Sequence, residues 1–131
     1  MDNTYVNLTC SWGITSVNSS CQHSDSHPLV FKDAIVTNNA AWTWNWADPD
    51  FKHEPGYTAA FLKAYATEKC FDLILCSTGM HGNILVSSDA TAYAFSLQGR
   101  VKFARTPETV AEFNRCVAKG LRVIAFVHST C

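Results

Sequence analysis

A chain of 131 residues, 47% of them hydrophobic, has enough apolar content for one real core, so residues 1–131 read as a single compact domain. A formal net charge of −1 excludes bulk electrostatic recognition of nucleic acid or of an anionic membrane, and no apolar run is long enough to span a bilayer. The charge is unevenly spread: residues 1–50 hold Asp2, Asp25, Asp33, Asp48 and Asp50 against Lys32, whereas residues 100–122 hold Arg100, Lys102, Arg105, Arg115, Lys119 and Arg122 against Glu108 and Glu112.

The first elements read as strands. "TYVNLTCSW" and "LVFKDAIVT" are rich in β-branched and aromatic residues, and the polar run "VNSSCQHSDSHP" between them reads as a loop closed by Pro28. "AAWTWNWAD" places Trp42, Trp44 and Trp46 at every second position, which makes a third strand, stopped by Pro49, Pro55 and Gly56. A helix follows in "YTAAFLKAYATEK", where Tyr57, Phe61 and Tyr65 recur every four residues beside Ala60 and Ala64.

"FDLILCS" is a short continuous apolar run, read as a buried strand. In "ILVSSDATAYAFSL", Tyr93, Phe95 and Leu97 alternate with small residues, and Gln98-Gly99 then offers a tight turn into "RVKFA"; the spacing predicts a hairpin. The second helix has Thr106 as its N-cap, Pro107 in the first turn, Glu108 at the positive end of the dipole and Gly120 beyond the last turn, with Val110, Phe113 and Val117 as its buried stripe. "LRVIAFVHS" is apolar on both faces and belongs in the middle of a sheet. The order βββ-α-βββ-α-β predicts an α+β fold: a mainly antiparallel sheet or sandwich with two packed helices.

Several constellations carry chemistry in principle. The Trp row faces one side of its strand; core packing is the plainer reading, and a stacking platform for sugar rings or a protein hot spot is the functional one. His23, Asp25 and His27 sit in a Ser-rich loop closed by Pro28, where solvated histidines outweigh a metal site completed by His53 or His128. Ser77, Thr78 and His81 lie in the Gly-flanked loop "CSTGMHGN", which leaves a buried strand as active-site loops do, but no acid is placed by spacing to orient His81. Arg100, Lys102 and Arg105 form a basic edge suited to phosphates or an acidic partner, or simply to protecting a sheet edge. His128 ends an apolar strand, and a Cys-His pair with Cys76 or Cys116 would require a free thiol.

The six cysteines, Cys10, Cys21, Cys70, Cys76, Cys116 and Cys131, are even in number, dispersed and free of C-x-x-C spacing, which favours a disulfide framework and an oxidising compartment. Asn7-Leu-Thr and Asn18-Ser-Ser are sequons that would accept N-glycans in secretion. On size and cysteine plan the chain resembles the small secreted effectors of pathogenic fungi and, more distantly, killer toxins. That resemblance implies a host-interaction or virulence role exercised through a surface, after removal of a signal peptide, with Met1 an initiator on a mature fragment and with action inside a host cell as one setting. The expectation is therefore a secreted, disulfide-stabilised, non-enzymatic binding protein with a host or other target protein as partner. Trp42, Trp44, Trp46, Arg100, Lys102 and Arg105 are its candidate contacts. No catalytic residue, metal or cofactor is assigned, and neither membrane insertion nor nucleic-acid binding is expected. A carbohydrate-binding module using the Trp row and a small hydrolase or ribonuclease using His81 or His128 are the alternatives.

Overall fold

A computed structural model describes residues 6–19, 29–38, 40–44, 56–63 and 71–130. The first two strands, β1 (Val6–Ser11) and β2 (Ile14–Ser19), form an antiparallel hairpin about Trp12-Gly13, where Gly13 takes the positive φ of 81° that the tight turn requires. The short strand β3 (Leu29–Phe31) pairs with β2 to complete a three-stranded sheet. The chain turns at Lys32-Asp33 and enters a second sheet with β4 (Ala34–Thr37) and β5 (Ala41–Thr43). Then follow α1 (Ala59–Leu62), β6 (Leu73–Ser77), α2 (Ser88–Ser96), β7 (Val101–Ala104), α3 (Thr106–Ala118) and β8 (Val123–Val127).

The second sheet runs β5-β4-β8-β6-β7. β8 is central, as its two apolar faces predict, pairing parallel with β6 and antiparallel with β4; β6 and β7 are also parallel. Alternation along the strands sorts their side chains into two cores. Ile35, Ile74, Cys76, Ile124 and Phe126 face α1 and α2, packing on Phe61, Leu62, Ala90 and Ala94. Val36, Leu73, Leu75, Val123, Ala125 and Val127 face Phe113, Cys116 and Val117 of α3, together with Leu8 and Val17 of the small sheet. Gly56 is required where the chain meets the strand-to-helix loop: its φ is 72°, and a Cβ there would lie 1.9 Å from the Leu85 carbonyl oxygen. No helix of the described residues is long and apolar enough to cross a membrane.

The mixed α+β class predicted above is found, with differences inside it. Four of the six strand pairings among the described residues are antiparallel, but β6 pairs parallel with both β7 and β8, the three strands being joined through helices. "LVFKDAIVT" is two strands in two sheets, because Lys32-Asp33 breaks the run and Asp33 turns its carboxylate onto the residues after β8. The start of the supposed polar loop, Val17–Ser19, is ladder in β2. The largest correction concerns residues 88–96, a helix instead of a hairpin strand: Ser87 accepts from the Ala90 amide as N-cap, Asp89 lies in the first turn, and the small residues Ala90 and Ala94, four apart, pack on the sheet. Gln98 and Gly99, at φ of 57° and 86°, release that helix and make no hairpin. The N-cap of α3 is Arg105, and Thr106 is its first helical residue.

Among the described residues no two cysteines are bridged. Cys10, Cys76 and Cys116 are free thiols. Cys76 lies in one core and Cys116 in the other, with the sheet between them, and a bridge requires Cα atoms within about 7 Å and Cβ vectors that face each other. Cys10 packs at the rim of the second core, its sulfur 3.6 Å from the Thr15 hydroxyl. Burial pushes the thiols of Cys76 and Cys10 up, so both stay protonated at neutral pH. Cys21, Cys70 and Cys131 lie outside the described residues.

Candidate functional site

Parallel strands end on one edge of their sheet, and open α/β sheets place ligands at that edge. Here β6, β7 and β8 deliver residues 78–82, Arg105 and residues 128–130 to the same rim, where β4 begins with Asp33 before it. Main-chain bonds tie the pieces together: Gly13 to the Ser129 carbonyl at 2.9 Å, Thr78 to Ala104 at 2.8 Å, Met80 to Thr130 at 3.0 Å, and Thr106 to Gly79 at 3.1 Å.

At the centre of this rim stands a buried acid–imidazole pair. Asp33 Oδ2 lies 3.1 Å from His128 Nδ1, both side chains being about 5% exposed or less. The approach is off the axis of the ring N–H, so the contact is chiefly electrostatic. Asp33 Oδ1 accepts from the Ser129 amide at 2.8 Å. Burial alone would raise the Asp33 carboxyl; the His128 contact, the Ser129 amide and the Lys32 charge outweigh it and hold the group below the ordinary carboxylate value.

The main chain of His128 is fixed on both sides by hydroxyls. Its amide donates to Ser77 Oγ at 2.8 Å, and its carbonyl accepts from Thr106 Oγ1 at 2.6 Å. Its ring meets Trp44 edge-on at 6.5 Å, and its Nε2 lies 3.3 Å from Thr130 Oγ1. Behind it, the buried Tyr57 hydroxyl donates to the Ser77 carbonyl at 2.7 Å, and burial pushes that phenol well above its usual range, so it remains a donor.

The loop side chains of the rim are more open. His81 is exposed, and its ring lies tilted against Trp12 with 5.3 Å between centroids. Arg105 is exposed beside Gly82, whose hypothetical Cβ would sit 3.3 Å from Arg105 Nε. Among the described residues no three His, Cys, Asp or Glu side chains converge as metal ligands would.

The structure separates the residues singled out by sequence. Trp44 is 5% exposed and packs on Tyr57, Phe61 and Phe126, which answers the Trp row in favour of core at that position, while Trp42 is 46% exposed on the edge strand β5. Trp46, His23, Asp25, His27 and His53 lie outside the described residues. Arg100 donates to the Phe71 carbonyl at 2.9 Å and Lys102 pairs with Glu112 at 2.8 Å, so these two cations are engaged locally and do not join Arg105 in one patch. Asn7 and Asn18 are register partners across the β1–β2 ladder. His81 and His128 belong to one rim, but different partners hold them. Sequence reading missed Asp33, Thr106 and Thr130 as members of the site. An acid inside the apolar run "VFKDAIV" was the available signal for Asp33; nothing local distinguishes Thr130.

No family model matches the chain. Two solved structures share its fold over nearly the whole length. One is a conserved hypothetical protein, PH1505, from Pyrococcus horikoshii OT3, with a TM-score of 0.66 and 17% identity, covering 96% of this chain and 98% of that one. The other is MT938, with a TM-score of 0.61 and 19% identity, covering 98% of this chain and 100% of that one. At such identities the similarity establishes the α+β architecture.

Proposed function

We propose that this chain is a binding protein that works by surface contact with a partner protein. The observation that carries the reading is a row of large apolar side chains on the outer face of the small sheet: Trp12 is 57% exposed, Ile14 50% and Val30 61%. The register pairs Ser16 with Val30 and Ser11 with Ile14, so Ile14 and Val30 are diagonal neighbours on one face, among the small hydroxyl residues Thr9, Ser11 and Ser16. Trp12 sits at the hairpin tip beside them, joined to His81 of the strand-end rim. Interface energy concentrates in a few aromatic and large side chains, and Trp12 has that character.

The secreted, effector-like setting implied by the resemblance in size and cysteine plan belongs to the same proposal, although Cys10, Cys76 and Cys116 are unbridged in this structure. A glycan platform on the Trp row is less well supported, since Trp44 serves the core. Proximity labelling with the full chain in its source cell tests the proposal. Trp12→Ala combined with Val30→Thr should lose the labelled partners while keeping the unfolding midpoint; an unchanged set of partners would show that this face is not the one used.

A further inference from the structure

We propose that Thr130, His128 and Asp33 form an acyl-transfer triad that hydrolyses small carboxylic esters, an activity separate from partner binding. The imidazole bridges the other two groups: Nδ1 lies 3.1 Å from Asp33 Oδ2 and Nε2 lies 3.3 Å from Thr130 Oγ1. That is the order nucleophile, base and orienting acid, which serves acyl transfer on unrelated folds and is recognised by geometry instead of sequence position. The Asp33 contact is electrostatic and not an aligned hydrogen bond in the free protein, and catalytic contacts that are long or poorly aligned without substrate often tighten in the complex.

The surroundings suit a fixed base better than they suit stability. A buried acid–imidazole pair does little for folding that apolar side chains of equal volume would not do. Yet His128 is positioned from four directions, by Ser77 and Thr106 on its main chain, by Asp33 at Nδ1 and by the edge of Trp44. An ionised Asp33 beside Nδ1 favours the ring proton there, which leaves Nε2 to accept from the Thr130 hydroxyl. His128 is buried, whereas Thr130 is only partly buried and lies next to the open loop that carries Met80 and His81.

In the reaction, Thr130 Oγ bonds to the ester carbonyl carbon while its proton passes to His128 Nε2. The ester C–O bond then breaks, and the departing alcohol oxygen takes that proton. Water adds to the acyl-threonine, giving one proton to Nε2. The Thr130 oxygen leaves with it, releasing the carboxylic acid and restoring the enzyme.

The test uses p-nitrophenyl acetate with the full chain. Expected is turnover that Thr130→Val lowers by roughly 100-fold, the scale of general acid–base catalysis, and that Thr130→Ser retains. Peptide mapping of protein quenched during turnover should place the acetyl group on Thr130. Unfolding midpoints of the two variants separate loss of chemistry from loss of fold, and acetyl mapping on the wild-type chain tests the nucleophile even if Thr130→Val is unstable. Hydrolysis no faster than in buffer, equal rates for the wild type and a folded Thr130→Val, or acetyl groups confined to cysteine or lysine would each overturn the proposal.

Discussion

Asn114 uses both halves of its amide on one residue: Oδ1 accepts from the Leu8 amide and Nδ2 donates to the Leu8 carbonyl, each at 2.8 Å. The side chain thus takes the place of a neighbouring strand along β1 and pins the small sheet to α3. Asn38 uses its amide on two residues, donating to the Leu121 carbonyl and accepting from the Val123 amide, both at 2.7 Å. Asn114→Ala would leave two main-chain groups of a buried residue unpaired, and should destabilise the protein by about 2–3 kcal/mol. Denaturant unfolding measures this, and a change in midpoint within error would mean that water replaces the amide at no cost. None of these roles is visible locally, since an Asn on a helix beside a buried stripe looks like any solvated residue.

The helices α2 and α3 differ in how openly their sequences declare them. α3 has a strong apolar stripe, with Phe113 and Val117 buried and Val110 partly so, Pro and Glu in its first turn, and Gly120 at φ 87° beyond its end. Only its first residue moved, because Thr106 turns its hydroxyl inward to His128. α2 buries Ala90 and Ala94 and leaves Phe95 86% exposed, which inverts the usual large-in, small-out pattern. Its better signal was the cap: Ser87 bonds the Ala90 amide at 3.2 Å and contacts Asp89, which also accepts from the Ala59 amide of α1 at 3.3 Å. Ser87→Ala should therefore cost about 1 kcal/mol, read as faster hydrogen exchange in the first turn of α2; unaltered exchange there would assign the helix's stability to packing alone.

At the scale of the molecule, one central sheet separates two cores, and Asp33 joins the sheets at the edge where its parallel strands end. Its carboxyl is depressed in the folded chain, so it favours folding above its unfolded value near pH 4, and that contribution disappears as pH falls through the lower, folded value. Asp72 and Asp89 are depressed too, by hydrogen bonds from Arg122 and Ser87, but they are exposed, where such contacts add little. Acid titration of stability should show a fall beginning at about pH 4 that is shallower in Asp33→Asn, whose stability at neutral pH is already reduced. Parallel acid limbs for the two chains would remove Asp33 from this role.

Composition and local pattern determined the α+β class, the buried strands β6 and β8 and the helix α3, because each follows from side-chain type and from periods of two or 3.6 residues. Tertiary structure alone decided that Cys76 and Cys116 face opposite cores, that Trp44 is inside while Trp12 is outside, and that residues 33, 128 and 130 meet. Those outcomes depend on which strands become neighbours, and pairing across roughly a hundred residues leaves no periodic trace in any one segment.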